Sequence, residues 1–302
     1  KVLDPDDTVS LMKSITPDRC QRELQEQGTT DFGFAFSDKA RFRVSVGKQR
    51  GSIYMVLRQI PNDKLTPEQL GLTDVIKKLV LRPRGLFLVT GPTGSGKTTA
   101  LHATLHELNS SGVNIVTIED PIEYVHTSKH SIIRQRDVGR DTESFHSALR
   151  AALRQDPNVI VIGEMRDYET IKIALTAAET GVLVISSMHV ITLDKIIERL
   201  LSYAPDGSDG HMRALLAESL LGVIHQELLP TLNGGKRVAC ETLFVTDAVR
   251  NVLRGGASFQ LRNIIATGSR YGMQTMKSSL DALLAEGVIA ESTYETVLAH
   301  YA

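Results

Sequence analysis

Gly91-Pro92-Thr93-Gly94-Ser95-Gly96-Lys97-Thr98 decides how the chain is read. The stretch fits GxxxxGK[ST], a phosphate-binding loop. The apolar run Leu86-Phe87-Leu88-Val89 precedes it and reads as a buried strand; residues 99–105 follow and read as a helix. That strand–loop–helix setting turns a string match into a site. Gly91, Gly94 and Gly96 permit backbone conformations that side chains forbid. The freed N–H groups then converge at the positive end of a helix, where a triphosphate can sit. Lys97 is expected to reach the β- and γ-phosphates and the Thr98 hydroxyl to ligate Mg²⁺, with Pro92, Thr93, Ser95 and Thr99 completing the loop. ATP and Mg²⁺ are the expected ligands.

Beyond the loop, strand-like and helix-like runs alternate. Residues 113–118 read as an apolar strand that ends in Glu119-Asp120-Pro121-Ile122-Glu123. Residues 131–135 read as a short strand and 144–154 as a helix. Val159-Ile160-Val161-Ile162-Gly163-Glu164 is an aliphatic strand with an acid at its carboxyl end. Residues 168–180 read as a helix stopped by Gly181, and 182–187 as a further buried strand that leads to His189. Near-continuous apolar strands between helices indicate a parallel sheet covered on both faces. The fold class is therefore α/β. Downstream, 193–201 and 211–229 read as helices and 235–245 as a hairpin arm. Residues 248–253, 258–266, 276–286 and 292–301 read as short helices, so a helical C-terminal part is expected from about 246.

Residues 1–60 lack the loop and form a separate α+β unit. Residues 16–27 read as a helix capped by Thr16, with Pro17 at its first position and Gly28 after it. Three alternating runs, 31–36, 41–46 and 52–58, read as antiparallel strands with one buried face. Arg41 and Arg43 lie two apart and share the exposed face, with Arg50 and Arg58 nearby. Residues 61–71 carry two prolines and a glycine and read as the linker to a second domain over 72–302.

Composition narrows the function. The chain has 302 residues, 42% hydrophobic and 23% charged, enough for about two ordinary globular cores. A net charge of −1 offers no basic surplus for nucleic acid. Two isolated cysteines, Cys20 and Cys240, exclude a four-Cys zinc module and fit a reducing cytoplasm. No apolar run reaches the roughly eighteen residues of a membrane span, and no signal peptide is read. Lys1 rather than Met stands first, so a preceding segment is expected.

In open α/β sheets, ligands bind beyond the carboxyl ends of the strands. The loop, the 119–123 acids, Glu164 and His189 all fall there. Glu164 is assigned the water-orienting or base role, against the plainer reading of a helix N-cap neighbour. Asp120 and Glu123 are candidates for metal or water contacts, against turn chemistry around Pro121. His189 is a candidate γ-phosphate sensor, against a buried structural histidine. Arg166 and Asp167 read as a loop salt bridge.

The loop, Ile118 to Tyr124, Leu153-Arg154-Gln155-Asp156-Pro157, Gly163-Glu164-Met165-Arg166-Asp167 and Ala177-Ala178-Glu179-Thr180-Gly181 together resemble the secretion-superfamily ATPases of type IV pili and type II secretion. Ala248-Val249-Arg250-Asn251-Val252-Leu253-Arg254 resembles a segment of the pilus-retraction branch, Ala-Ile-Arg-Asn-Leu-Ile-Arg. The resemblance implies a PAS-like front domain linked to a RecA-like domain, and a homohexameric ring with nucleotide between the two. It implies phosphate contacts from Arg41, Arg43 and Arg50, an acidic-box role for Glu123, and catalytic roles for Glu164 and His189. It further implies a cytoplasmic motor for pilus retraction and twitching motility, docked on a platform protein at the inner-membrane base of the pilus machine. Extension or secretion relatives usually carry a four-Cys insert that this chain lacks. The family's histidine box typically reads Leu-His-Thr-Asn-Ser; here Met188-His189-Val190-Ile191-Thr192 puts aliphatics after the histidine. That departure keeps open an ATP-binding accessory scaffold with weak hydrolysis.

Overall fold

The computed structural model describes residues 2–37, 39–60 and 66–301. The first unit has two helices, α1 (Pro5–Ile15) and α2 (Asp18–Gln27), and three strands, β1 (Thr29–Phe36), β2 (Ala40–Gln49) and β3 (Ser52–Ile60). The strands form one antiparallel sheet in chain order. Alternation sends Phe32, Val44 and Val46 inward onto Met12, Cys20 and Leu24, a core of its own. The sequence reading did not include α1, although Asp4 and Asp7 form a capping box with Pro5 at the first helical position. Thr16 does not cap α2. Its N–H closes α1 onto the Met12 carbonyl, its hydroxyl is buried without a hydrogen-bond partner among the described residues, and Pro17 takes the N-cap place.

Part of the expected linker, 61–65, lies outside the described residues. The remainder is structured. Thr66 and Gln69 form a capping box on α3 (Pro67–Leu70), and Leu70 and Leu72 are buried in the second core. Then come α4 (Thr73–Val80), β4 (Gly85–Thr90), α5 (Lys97–Leu108), β5 (Asn114–Glu119), β6 (Ile132–Asp137), α6 (Phe145–Ala152), β7 (Val159–Ile162), α7 (Tyr168–Thr180) and β8 (Leu183–Met188). They are followed by α8 (Ile196–Leu201), α9 (Asp209–Ser219), β9 (Leu220–Pro230), β10 (Lys236–Phe244), α10 (Asp247–Gly255), α11 (Leu261–Thr267), α12 (Met276–Ala285) and α13 (Glu291–Leu298).

The seven strands pair in the order β10-β9-β4-β8-β7-β5-β6, all parallel except β10 against β9. Leu86 and Leu88 of β4 face one apolar layer with α6 and α7; Phe87 and Val89 face the other with α4 and α5. The sheet is thus covered on both faces, the α/β arrangement expected from its apolar strands.

One stretch departs from the sequence reading. Residues 211–229 are not a single helix: α9 ends at Ser219 and β9 begins at once, parallel to β4. No turn residue separates them, and β9 is buried along most of its length, so its apolar residues show neither clean period. The hairpin arm at β10 pairs with it. α12 and α13 cover this hairpin through Leu229, Ala239, Met276 and Leu280.

Two outcomes test β9. A Cβ on Gly222 would lie 2.7 Å from the Leu243 carbonyl oxygen and 3.1 Å from Leu79. Gly222→Ala is therefore expected to destabilise by about 1–3 kcal/mol, whereas in a helix interior it would stabilise by about 1 kcal/mol. Gly210→Ala, in open space on α9, holds or raises stability. Urea melts read the sign for both. The second outcome concerns His225, fully buried on β9 and held down to about 4 by burial and by Lys97. An unfolded histidine titrates near 6.5. Between those values the unfolded chain takes the proton and the folded chain does not, so stability falls as pH falls from 6.5 to 4. Relative to His225→Gln, the parent is expected to lose up to about 3 kcal/mol over that range; a pH-independent difference refutes this.

Candidate nucleotide site

The carboxyl ends of β4, β5, β7 and β8 open onto one cleft of about 470 Å³ that also reaches the first unit. Thr93, Gly94, Gly96, Lys97, Thr98 and Thr99 line it, with Asp120, Glu123, Glu164 and His189. Gly91, Pro92 and Ser95 are not among the lining residues, and Gly91 and Ser95 are buried.

Gly91 has φ 145°, and a Cβ there would meet the Gln226 carbonyl oxygen at 2.3 Å and Ser95 Oγ at 2.5 Å. Only glycine fits so close to β9. From the same strand, the Gln226 carboxamide donates to the Ser95 carbonyl oxygen at 2.6 Å and fixes the loop from below. The sequence reading missed Gln226 because it placed the residue in a helix. The first turn of α5 begins at Lys97, so the helix N–H groups and positive dipole end face the loop.

Lys97 folds back onto its own loop. Its ammonium donates to the carbonyls of Gly91 (3.0 Å) and Pro92 (2.7 Å), and His189 Nδ1 lies at 3.3 Å. An ammonium has three protons, and here three acceptors surround it. The imidazole accepts at Nδ1 only when neutral, and burial followed by the Lys97 charge lowers its pKa. Burial also pushes Lys97 down to about 8, while Glu164 and Glu227 pull it back up. A polyanion arriving in the cleft would relieve this strained cation.

The acids differ in their surroundings. Glu164 follows Gly163, whose carbonyl accepts from Ser187 Oγ, and its carboxylate pairs with Arg166. The expected Arg166–Asp167 bridge is not formed: Asp167 caps α7, accepting from the Thr170 N–H at 2.8 Å and its hydroxyl at 2.7 Å. Burial raises the Asp120 pKa against the pull of Arg166 and Arg43. Glu123 lies 4.0 Å from Arg58. Beneath them Glu119 is buried; desolvation pushes its pKa up, but His102, Thr117 and Gln135 bring it below the usual carboxylate value. Thr117 Oγ1 donates to Glu119 at 2.6 Å and Gln135 Nε2 at 3.0 Å, while His102 Nε2 stands at 3.5 Å. This network braces the acidic turn. Glu119 stood within the acidic stretch, but its partners carry no motif.

The arginines of the first unit are spread along β2 and β3. Arg43 lines the cleft. Arg41 donates to the Ile122 carbonyl oxygen at 2.8 Å, a clasp between the units. Arg50 sits with a left-handed φ of 48° in the exposed β2–β3 turn and is not among the cleft residues. Arg58 of β3 lines the cleft instead. Register explains this: Arg43 and Arg58 are direct cross-strand partners, and Arg50 is at the far end of the hairpin.

The oxygen donors fit magnesium. Thr98 and the carboxylates of Asp120, Glu123 and Glu164 line one cleft, and the described residues hold no cluster of three or more His, Cys, Asp or Glu able to cage a metal. A hard ion held by one or two protein oxygens and substrate phosphates matches that set.

Comparison with known proteins gives a consistent picture. The profile described as "Type II/IV secretion system protein" matches residues 22–287. The type IV pilus retraction ATPase PilT of Pseudomonas aeruginosa is 45% identical over 282 residues, 93% of this chain and 82% of its own length. A twitching motility protein of Neisseria gonorrhoeae is 44% identical over 283 residues, 93% of this chain and 76% of its own length. A crystal structure of the pilus retraction motor PilT with bound ADP superposes with a TM-score of 0.87 at 41% identity, covering 98% of this chain and 84% of that one. On the extent of these matches, the chain belongs to the Type II/IV secretion system protein family.

Proposed function

We propose that this chain hydrolyses ATP with Mg²⁺ as the subunit of a homohexameric motor that retracts type IV pili and drives twitching motility. Its place is the cytoplasmic side of the inner membrane, docked on the platform protein of the pilus machine. The observation that carries this reading is the meeting of Lys97, Glu164, His189 and the Arg43–Arg58 pair in one cleft at the loop. The matches to pilus-retraction proteins support the motor role.

Each group has a task. The loop N–H groups and Lys97 hold the phosphates, exchanging the Gly91 and Pro92 carbonyls for phosphate oxygens. Thr98, with Asp120 as a second oxygen donor, would hold magnesium, which would supply positive charge against the phosphates. Glu164 orients the attacking water once phosphate draws Arg166 away. Glu123 assists at the water or metal. His189 senses the phosphate through Lys97. Arg43 and Arg58 supply charge from the first unit, and Arg41 keeps that unit seated on Ile122. Loss of the γ-phosphate then weakens the hold of residues 1–60 on 72–302, and the ring passes the motion on.

A second reading, an ATP-binding scaffold with weak hydrolysis, is favoured by one observation. After His189, Val190 is packed into the core and Ile191 is 70% exposed, so neither offers a polar partner to the sensor. ATPase turnover measured together with mass in solution separates the two. A hexamer is expected in which Lys97→Ala and Glu164→Gln each lower turnover by roughly 10³-fold. Turnover within tenfold of the parent in either variant refutes the assigned role. A hexamer that binds ATP without turning it over points to the scaffold.

A further inference from the structure

Behind the loop runs a polar chain, fully buried at Thr90 and His225 and half-buried at Glu227 and Tyr301, whose hydrogen bonds have no task in the roles above. Thr90, the last residue of β4, immediately precedes Gly91. Its hydroxyl lies 3.1 Å from His225 Nδ1. His225 Nε2 lies 2.8 Å from the Tyr301 hydroxyl, which donates to Glu227 Oε1 at 3.0 Å. Thr90 and His225 are both fully buried.

The donors can be assigned. Burial and the Glu227 charge hold the Tyr301 pKa above its ordinary value, so the phenol keeps its proton and donates it to Glu227. Its oxygen is then free to accept from His225 Nε2–H. That leaves Nδ1 bare, and Nδ1 accepts from the Thr90 hydroxyl at 3.1 Å, whose one proton it shares with the Ile224 carbonyl oxygen at 3.3 Å. The bonds from Thr90 through His225 and Tyr301 to Glu227 all form with a neutral imidazole, the form that burial favours for His225. Between His225 and Glu227, Gln226 turns to the other face of the strand and holds the Ser95 carbonyl oxygen. Two consecutive residues of β9, His225 and Gln226, therefore hold the loop at its take-off and at its middle.

Tyr301 is the side chain that joins this relay from the C-terminal helices; the Ile191 backbone also bonds His225. It follows α13, and α12 and α13 rest on the β9–β10 hairpin through Leu229, Ala239, Leu280 and Leu283. We propose that Tyr301 is a positioning residue of the nucleotide site. Seated between His225 and Glu227, it sets the imidazole that anchors Thr90, and so ties nucleotide affinity to the docking of the C-terminal helices. The proposal rests on the nucleotide-binding reading of the loop.

The test is the dissociation constant for ADP, by calorimetry, on the full chain. Tyr301→Phe deletes one hydroxyl and keeps the ring. A net hydrogen bond of 0.5–1.5 kcal/mol corresponds to weakening of up to about tenfold, the expected effect. Tyr294→Phe is the control: its hydroxyl donates to Asp281 at 2.8 Å on the exposed side of α13, and its loss is expected to leave affinity within twofold. Thr90→Val cuts the relay at its other end and is expected to match Tyr301→Phe. The double variant is expected to bind no worse than either single one, because all three break one chain. A merely structural role would lower Tm equally with and without ADP; a positioning role shrinks the rise in Tm that ADP produces. Affinity within twofold of the parent in Tyr301→Phe overturns the proposal, as do effects of Tyr301→Phe and Thr90→Val that multiply. If Tyr301→Phe fails to fold, Thr90→Val decides by the same criterion. A parent that binds no ADP fails at the earlier step and overturns the functional reading itself.

Discussion

The pairing of β9 with β4 is the constraint on which the site depends. A loop rich in glycine has no side chains to hold its shape, and its N–H groups point at a ligand that comes and goes. Something fixed must lie beneath it. β9 supplies that floor: its Gln226 carbonyl oxygen excludes any side chain at Gly91, its carboxamide holds Ser95, and its His225 meets Thr90. The floor is rigid because it is buried in a sheet whose register is set from both sides, by β4 and by β10. Helices α12 and α13 matter for the same reason. They close the outer side of the hairpin, which would otherwise be a wet edge.

Most of the second unit was legible because its signals are local. The loop, the apolar strands β5, β7 and β8, and the helix from Tyr168 to Thr180 each carry their own period or stop signal, and each was found. Convergence of the loop, Glu164 and His189 followed from one topological rule. What was not legible depends on partners distant in sequence. β9 pairs with β4 across more than a hundred residues, and its run of buried apolar residues looks the same on a helix or in a sheet interior. With β9 misread, Gln226 and His225 had no place in the site. The same limit applies to the arginines. Motif position pointed to Arg50, but hairpin register puts Arg58 beside Arg43 and sends Arg50 to the far turn. Thr16 shows the limit at short range: Pro17 can occupy the N-cap place itself, and the threonine then belongs to the helix before it.

The two sides of the cleft are held with very different strength, and this difference is what a motor needs. On the α/β side, Glu119 sits in a closed network with Thr117, Gln135 and His102, and removing one partner would leave a buried charge exposed to low dielectric. Such a break costs about 3–5 kcal/mol, so that wall does not yield during a cycle. On the other side, the Arg58–Glu123 pair stands at 4.0 Å with the arginine 66% exposed, worth under about 1 kcal/mol. The Arg41–Ile122 hydrogen bond adds about 1.5–3 kcal/mol as a contact from a charged donor. A charge-assisted contact between Arg43 or Arg58 and a phosphate is of that same size. On the proposed function, one phosphate gained or lost at Arg43 or Arg58 would be enough to shift the front unit, and too little to disturb the sheet beneath the loop.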